Sequence, residues 1–177
     1  FAIISPISYF GRSRSSKHAD KIFALAIDLD GIHKKSQLID LLHQTSTNSK
    51  GASPTGADRY LPAPTYIVNS GTGIHLYYVF EKPIKLYENV VDDLNAIKKA
   101  LTRRIWNKYL TSLVDNVQYQ TIWQGYRVPG SASKLGKKYP VVAYKYGDKI
   151  SVEKIIEYIP KSKDKGSLNG NHCLPLN

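Results

Sequence analysis

Two largely apolar segments of the chain carry polar residues two positions apart, which is the period of a β-strand. Residues 22–30 read IFALAIDLD, and residues 74–80 read IHLYYVF. Because strand residues two apart share a face, the first segment places Asp28 and Asp30 together on one face, beside small alanines. The opposite face is apolar and consists of Phe23, Leu25, Ile27 and Leu29.

A glycine-rich turn precedes the second of these strands. Residues 65–69 (TYIVN) form another β-rich run, and the sequence SGTG at 70–73 joins it to 74–80. Two such runs around a short glycine turn predict a β-hairpin. His75 lies at the start of the second strand, and Pro83 is expected to end that strand.

Apolar positions at spacings of three and four predict helices. The clearest helix covers residues 88–109, and its stripe consists of Val90, Leu94, Ile97, Leu101, Ile105 and Tyr109. Ser36 is placed to cap a helix at 37–44, and Ser151 is placed to cap one at 152–159.

Hairpins that alternate with helices favour an α+β fold with the helices on one side of the sheet. We also expect an opening strand and turn in 1–12 and a strand at 140–146. The polar, glycine-rich segment 45–59 is expected to be an exposed mobile loop rather than a lid. The 177 residues suit one domain, which we assign to 1–160, followed by a basic and polar tail at 161–177.

The charge is strongly positive, with 25 Lys and Arg against 14 Asp and Glu, a net charge of +11. Such a protein attracts polyanions, of which nucleic acid is the usual one, although an acidic partner domain is an alternative. Most of the thirteen tyrosines are expected in the core or on sheet faces. The basic residues of the long helix favour a solvated face over a nucleic-acid track; they are Lys98, Lys99, Arg103, Arg104 and Lys108.

Several classes of protein do not fit this sequence. No apolar run reaches the roughly 18–20 residues of a membrane span. The single cysteine, Cys173, excludes an internal disulfide and a zinc site built from cysteines. We therefore expect a cytoplasmic protein. The chain begins at Phe1 and contains no Met, so we expect it to be part of a longer protein.

The two acids at the end of the first strand are candidate metal ligands. Mg²⁺ and Mn²⁺ prefer carboxylate oxygens and complete their shells with phosphates and water. Asp28 and Asp30 can hold such an ion, although a strand end entering a polar turn is the alternative. Asp115 is the candidate for a third ligand, because it follows Val114 in a stretch poor in acids; it can equally cap a turn.

Two further motifs suit a phosphate-bearing ligand. Backbone N–H groups of the turn before His75 can cradle a phosphate, and the imidazole can donate to it; a structural histidine is the alternative. The run from Arg127 to Lys134 (RVPGSASK) places two cations and two hydroxyls around a Pro-Gly turn. An ordinary turn with cations facing solvent is the alternative there.

These motifs, taken in order, resemble a known family. D-L-D after an apolar run, G-T-G-I-H opening a strand, a later V-D and then R-V-P-G-S-x-x-K are similar to motifs of the archaeo-eukaryotic primase (AEP) superfamily. The closer resemblance is to primase-polymerase domains of replication proteins on plasmids, phages and other mobile elements. It covers roughly residues 22–146.

The resemblance implies roles for individual residues. It implies metal ligands at Asp28, Asp30 and Asp115. It also implies contacts to a nucleotide triphosphate at Ser70, Gly73, His75, Arg127 and Lys134. One position departs from the family, whose second motif is Ser-x-His, because Gly73 stands where the serine is expected.

The implied protein is an enzyme. The expected fold is an RRM-like, largely antiparallel sheet beside a smaller α/β unit, and the expected reaction is template-directed nucleotidyl transfer with Mg²⁺ or Mn²⁺. Its partners are single-stranded DNA template, primer and ribo- or deoxynucleoside triphosphates, with a helicase domain elsewhere in the parent chain. A metal-dependent nuclease and a non-catalytic nucleic-acid-binding module are the alternatives.

Overall fold

A computed structural model of the chain describes residues 2–30, 32, 34–45, 61–106 and 116–159. The strands are β1 (Ile3–Ile4), β2 (Ile7–Tyr9), β3 (Ala19–Leu29), β4 (Tyr66–Asn69), β5 (Ile74–Lys85), β6 (Tyr126–Arg127), β7 (Ala132–Ser133), β8 (Gly136–Pro140) and β9 (Val142–Lys145). The helices are α1 (Lys35–Thr45), α2 (Glu88–Ile105) and α3 (Val152–Glu157), with one 3₁₀ turn at Ser16–His18.

The main sheet has five strands in the order β2-β3-β5-β4-β9, and every neighbouring pair is antiparallel. Two small antiparallel ladders, β1–β6 and β7–β8, stand beside it. The expected hairpin is the β4–β5 pair. The architecture is α+β with an antiparallel sheet, as the sequence predicts.

The core lies between one face of this sheet and the helices. Leu25, Ile27 and Leu29 of β3 join the same buried cluster as residues from all three helices. The helical members are Leu41 from α1, Val90, Leu94, Leu101 and Ile105 from α2, and Val152 and Ile155 from α3. The predicted apolar stripe of α2 therefore does pack on the sheet, and the other face of β3 is left for the acids.

The alternation predicted for β3 breaks at Phe23. A register shift between Ile22 and Ala24 interrupts the regular pairing of β3 with β5. As a result Ile22 is fully buried, whereas Phe23 is 43% exposed and does not share the core face. An irregularity of this kind interrupts the strict alternation of side chains between the two faces of the strand.

Pro83 does not end its strand, because β5 continues to Lys85. The β3–β5 ladder is irregular between the pairs Ala24–Val79 and Ile22–Ile84. Strand β4 pairs only with the residues of β5 from Ile74 to Tyr77. Pro83 thus lies in a stretch that needs no ladder hydrogen bond from its nitrogen, where proline is tolerated.

Helix boundaries follow the capping residues only in part. Helix α1 begins at Lys35, so Ser36 lies inside it, and the Gln37 side chain accepts a hydrogen bond from the Lys34 N–H instead (2.9 Å). Ser151 caps α3 as predicted, because its hydroxyl oxygen accepts from the Lys154 N–H (3.2 Å).

Three predicted segments extend beyond the described residues. The end of the long helix after Trp106, the loop predicted at 45–59 after Thr45, and the tail at 161–177 lie there. The strand predicted at 140–146 is divided at Val141, which is buried and separates β8 from β9. In the part of the chain that is described, no helix has the length and apolar character to cross a membrane.

Most of the described tyrosines lie on strands, which agrees with the prediction of core or sheet-face positions; they are Tyr9, Tyr66, Tyr77, Tyr78, Tyr126, Tyr139 and Tyr144. Among the described residues only Tyr78 and Tyr126 are buried. The exposed ones are Tyr66, Tyr87, Tyr119, Tyr139, Tyr144 and Tyr146. Among the described residues, more tyrosines are exposed than fully buried.

The α2 stripe yields a test of the core. Leu101→Ala should lower the free energy of unfolding by about 2–5 kcal/mol, because a fully buried leucine leaves a cavity. Arg103→Ala, on the exposed side of the same helix, should change it by no more than about 0.5 kcal/mol. Urea unfolding of both variants measures this, and equal losses would contradict the described packing.

Candidate functional site

A pocket of about 170 Å³ opens where the last residues of β3 pair with the first residues of β5. Six of the side chains singled out from the sequence line it, namely Asp28, Asp30, Ser70, His75, Arg127 and Lys134. They come from four separate parts of the chain. We call it the strand-end pocket.

The β3–β5 register places Asp28 directly opposite His75. The His75 Nε2 atom lies 3.6 Å from Asp28 Oδ1. Of the atoms described, Asp28 Oδ1 and His75 Nδ1 are buried and have no hydrogen-bond partner. A buried carboxylate oxygen without a donor is costly unless a ligand or cation satisfies it.

Burial also shifts both groups toward their neutral forms. Desolvation, and next the neighbouring Asp30 carboxylate, raise the pKa of Asp28 to about 6, against the influence of Gln120, Lys134 and Lys98. Desolvation, opposed by the Asp30 carboxylate and assisted by the charges of Arg127 and Lys134, lowers the pKa of His75 to about 4. At neutral pH the imidazole is therefore uncharged, and the carboxylate is retained in surroundings that favour a cation.

Gly73 is required by the close approach of the two strand ends. A Cβ atom at Gly73 would lie 2.9 Å from the Leu29 carbonyl oxygen and 3.0 Å from Asp30 Oδ1. A side chain at this position would therefore require the turn or the end of β3 to shift. The glycine brings the turn against Asp30, and Ser70 and Thr72 of this turn line the pocket, whereas Gly73 itself does not.

The hydrogen bonds of the turn limit what Ser70 can do. Its hydroxyl and its N–H both donate to the Gly73 carbonyl at 3.0 Å. The Gly71 N–H donates to Asn69 Oδ1 at 2.9 Å. The proton of Ser70 is thus used within the turn, so the described conformation closes the hairpin rather than presenting that donor to a ligand.

The two cations reach the pocket from different ladders. Arg127 lies in β6 opposite Ile3 of β1. Lys134 lies in the turn between β7 and β8, and this hairpin contacts the β4–β5 turn at Gly71, where a Cβ atom would be 2.6 Å from the Ser133 side chain. Both placements depend on contacts between segments far apart in the sequence.

The third predicted metal ligand, Asp115, lies outside the described residues. Within the ranges that are described, no group of three His, Cys, Asp or Glu side chains is arranged to hold a metal ion. The pocket therefore presents two carboxylates, Asp28 and Asp30, and the roles assigned to individual residues stay predictions.

The side chain of Lys98 is buried next to the strand-end pocket, so the prediction that it lies on a solvated helix face is wrong. It is only 1% exposed, and its ammonium donates to the Thr121 carbonyl (2.8 Å) and the Tyr126 hydroxyl (2.9 Å). Burial lowers the pKa of Lys98 to about 8, although Asp28 acts against this shift. Arg104 is buried as well, whereas Lys99 and Arg103 are exposed as expected.

Tyr126 links Lys98 to the pocket, and the sequence did not single it out. Its hydroxyl donates to the Ala26 carbonyl at 2.6 Å. Its ring meets those of His75 and Tyr77 edge-on, with centroids 5.2 and 5.6 Å apart.

The sequence does contain one indication that Lys98 is buried. Lys98 follows Leu94 by four residues and precedes Leu101 by three, which places it on the apolar stripe of α2.

Comparison with known proteins bears on the fold. No protein-family model and no curated protein sequence matches the chain. Among solved structures, the AEP domain of the primase-polymerase (PrimPol) of cyanophage S-2L is similar, with a TM-score of 0.57 and 13% sequence identity. The match covers 84% of this chain and 65% of that one, so this chain spans just under two thirds of its length. At this identity the likeness shows a shared fold.

The contact at Gly73 can be tested by introducing the serine that the family pattern predicts. Gly73→Ser should lower the free energy of unfolding by about 1–3 kcal/mol, because the added atoms overlap the Leu29 carbonyl. Thr72→Ser, at the exposed neighbouring position, should have little effect on stability. Thermal unfolding of the two variants checks this, and an undiminished stability of Gly73→Ser would contradict the close approach.

The burial of Lys98 predicts a pH dependence. Its pKa is about 8 in the folded protein against 10.5 when exposed, so between these values the unfolded chain binds more protons than the folded one. The contribution of Lys98 to stability therefore rises with pH from about 8 to 10.5. The unfolding free energy of the wild type minus that of Lys98→Met should increase across this window, and a flat difference would contradict the burial of the Lys98 ammonium.

Proposed function

We propose that the chain is a DNA-dependent nucleotidyltransferase of the primase-polymerase type, which makes or extends primers during replication of a mobile element. The observation that carries the proposal is the strand-end pocket, where two carboxylates, a neutral histidine and two cations meet in a fold like that of a primase-polymerase AEP domain. The catalytic unit would be residues 1–160, with 161–177 as a tail.

Arg127, Lys134 and His75 are proposed to bind the triphosphate of the incoming nucleotide. The two cations lie at the pocket and supply the positive charge that a polyphosphate requires. His75 is buried opposite Asp28 and is neutral at pH 7, so one ring nitrogen carries a proton that can be donated to a phosphate oxygen. Ser70 and Gly73 shape the wall against which the phosphates would lie.

Asp28 and Asp30 are proposed to hold Mg²⁺ or Mn²⁺, with Asp115 as the third ligand. The Oδ1 atom of Asp28 has no hydrogen-bond partner among the described atoms, and the pKa of its carboxyl is raised. Both features are expected of a buried carboxylate whose charge a bound cation would stabilise. When bound, the metal supplies charge neutralisation at the reacting phosphate and makes a 3′-hydroxyl a stronger nucleophile.

The proposed reaction transfers one nucleotide to a growing strand. The 3′-oxygen of a primer, or of a first nucleotide, forms a bond to the α-phosphorus of the incoming nucleoside triphosphate. The bond from that phosphorus to the oxygen that bridges it to the β-phosphate breaks, and pyrophosphate leaves with the bonding electrons. The proton of the 3′-hydroxyl passes to solvent. The template is single-stranded DNA, and a helicase domain elsewhere in the parent chain stays a prediction.

Asp28→Asn tests the reaction with almost no change in side-chain shape. With Mn²⁺ or Mg²⁺, a primed single-stranded template and nucleotides, strand growth by this variant should fall at least about 100-fold, because a metal contributes several kcal/mol to such a transition state. The control is Asp92→Asn, at an exposed position of α2, which should extend primers as the wild type does.

The same assay separates the alternatives. Growth that requires nucleotides supports the proposal, whereas shortening of the labelled strand without nucleotides would identify a nuclease. The proposal fails if the wild type neither extends nor initiates strands while Asp28→Ala and the wild type bind nucleotide alike. That result, together with retained DNA binding, would identify a non-catalytic binding module.

A further inference from the structure

The hairpin formed by β7, β8 and the turn between them is exposed along its second strand. We call residues 132–140 the basic hairpin. Every residue of β8 is exposed, and among the described residues Leu135 (54%) and Tyr139 (53%) are two of the most exposed large hydrophobic side chains. An aromatic ring and an aliphatic side chain at the surface of one short hairpin favour a partner that covers them.

The charged side chains of the basic hairpin and of the sequence that directly flanks it are all positive. From residue 116 to residue 147 the chain contains no Asp or Glu. The basic hairpin carries Lys134, Lys137 and Lys138, and the Lys138 ammonium lies 6.0 Å from the centroid of the Tyr139 ring. By contrast, the exposed cations of α2 share that helix with exposed Glu88, Asp92 and Asp93. The hairpin is thus the stronger site for a polyanion.

The basic hairpin is held in one place beside the strand-end pocket. Its turn contributes Lys134 to the pocket wall. Ser133 abuts Gly71, and the Ser133 hydroxyl accepts a hydrogen bond from the Leu135 N–H (3.1 Å). At the other end, Val141 accepts from the Gly130 N–H (2.7 Å) and donates to the Ser131 carbonyl (2.9 Å). Strand β8 therefore leads away from the pocket along a defined path.

We propose that the basic hairpin binds single-stranded nucleic acid that runs along β8 to the strand-end pocket. Lys137 and Lys138 contact its phosphates, and Tyr139 stacks on a base. Only the identification of this strand as the template rests on the proposed function; the binding itself does not. A single strand fits better than a duplex, because the base faces that stack on Tyr139 are already stacked in a duplex.

Fluorescence anisotropy with labelled oligothymidylate tests the proposal. The measurement is made in EDTA and without nucleotide, so that pocket chemistry does not contribute. Lys137→Gln combined with Lys138→Gln should weaken binding at least about fivefold and reduce the slope of log affinity against log salt by about 1.4, the value for two phosphate contacts. The charge-matched control, Lys99→Gln combined with Arg103→Gln on α2, should bind within twofold of the wild type.

Substitutions of Tyr139 separate the contribution of base stacking to binding from the contribution of charge. Tyr139→Ala should weaken binding to the single strand by about fivefold or more, while Tyr139→Phe keeps the ring and should bind within twofold of the wild type. Binding to a blunt duplex should be unaffected by Tyr139→Ala. Circular dichroism and thermal unfolding of each variant establish that it is folded.

Three results would overturn the proposal. In the first, the hairpin variants bind the single strand as the wild type does. In the second, the largest loss of binding occurs in the α2 control. In the third, polyglutamate displaces the labelled oligonucleotide as well as unlabelled oligothymidylate does. Failure of primer extension with the hairpin effects intact would remove only the proposed function. Normal primer extension by the wild type with no hairpin effect on DNA binding would remove only this inference.

Discussion

The pairing of β3 with β5 is the constraint on which the site depends. It sets Asp28 opposite His75 and brings Asp30 against Gly73. The other face of the same two strands is built into the core by leucine and isoleucine side chains. A slip of one residue would move the acids into that core and the leucines into the pocket. Hydrophobic packing on one face thus fixes polar geometry on the other.

The polar face carries an electrostatic cost that its neighbours only partly offset. Burial raises the pKa of Asp28 and lowers those of His75 and Lys98, so each of the three groups is held in surroundings that disfavour its charge. Lys98 retains two hydrogen bonds, whereas Asp28 Oδ1 has none among the described atoms. Such perturbed, incompletely satisfied groups are typical of functional sites, and they agree with the proposed binding of a cation and a polyphosphate.

The basic hairpin and the strand-end pocket are joined by one small contact. Gly71 has a φ of +99° and lies against Ser133, so that a side chain at position 71 would push the hairpin away. The contact places Lys134 in the pocket and leaves Lys137 and Lys138 on the exposed strand that follows. In the proposed enzyme, one hairpin would then connect the nucleotide site to the path of the strand being copied.

Local periodicity determined the β4–β5 hairpin, the stripe of α2, the cap at Ser151 and the shared face of Asp28 and Asp30, because each depends on residues a few positions apart. The order of the motifs also brought six pocket residues to notice. Only the tertiary structure decided the bulge at Phe23, the continuation of β5 through Pro83 and the burial of Lys98 under Tyr126. The bulge, the continued strand and the hydrogen bond from Lys98 to Tyr126 depend on segments distant in sequence, although the helical spacing of Lys98 already placed it on the apolar stripe of α2.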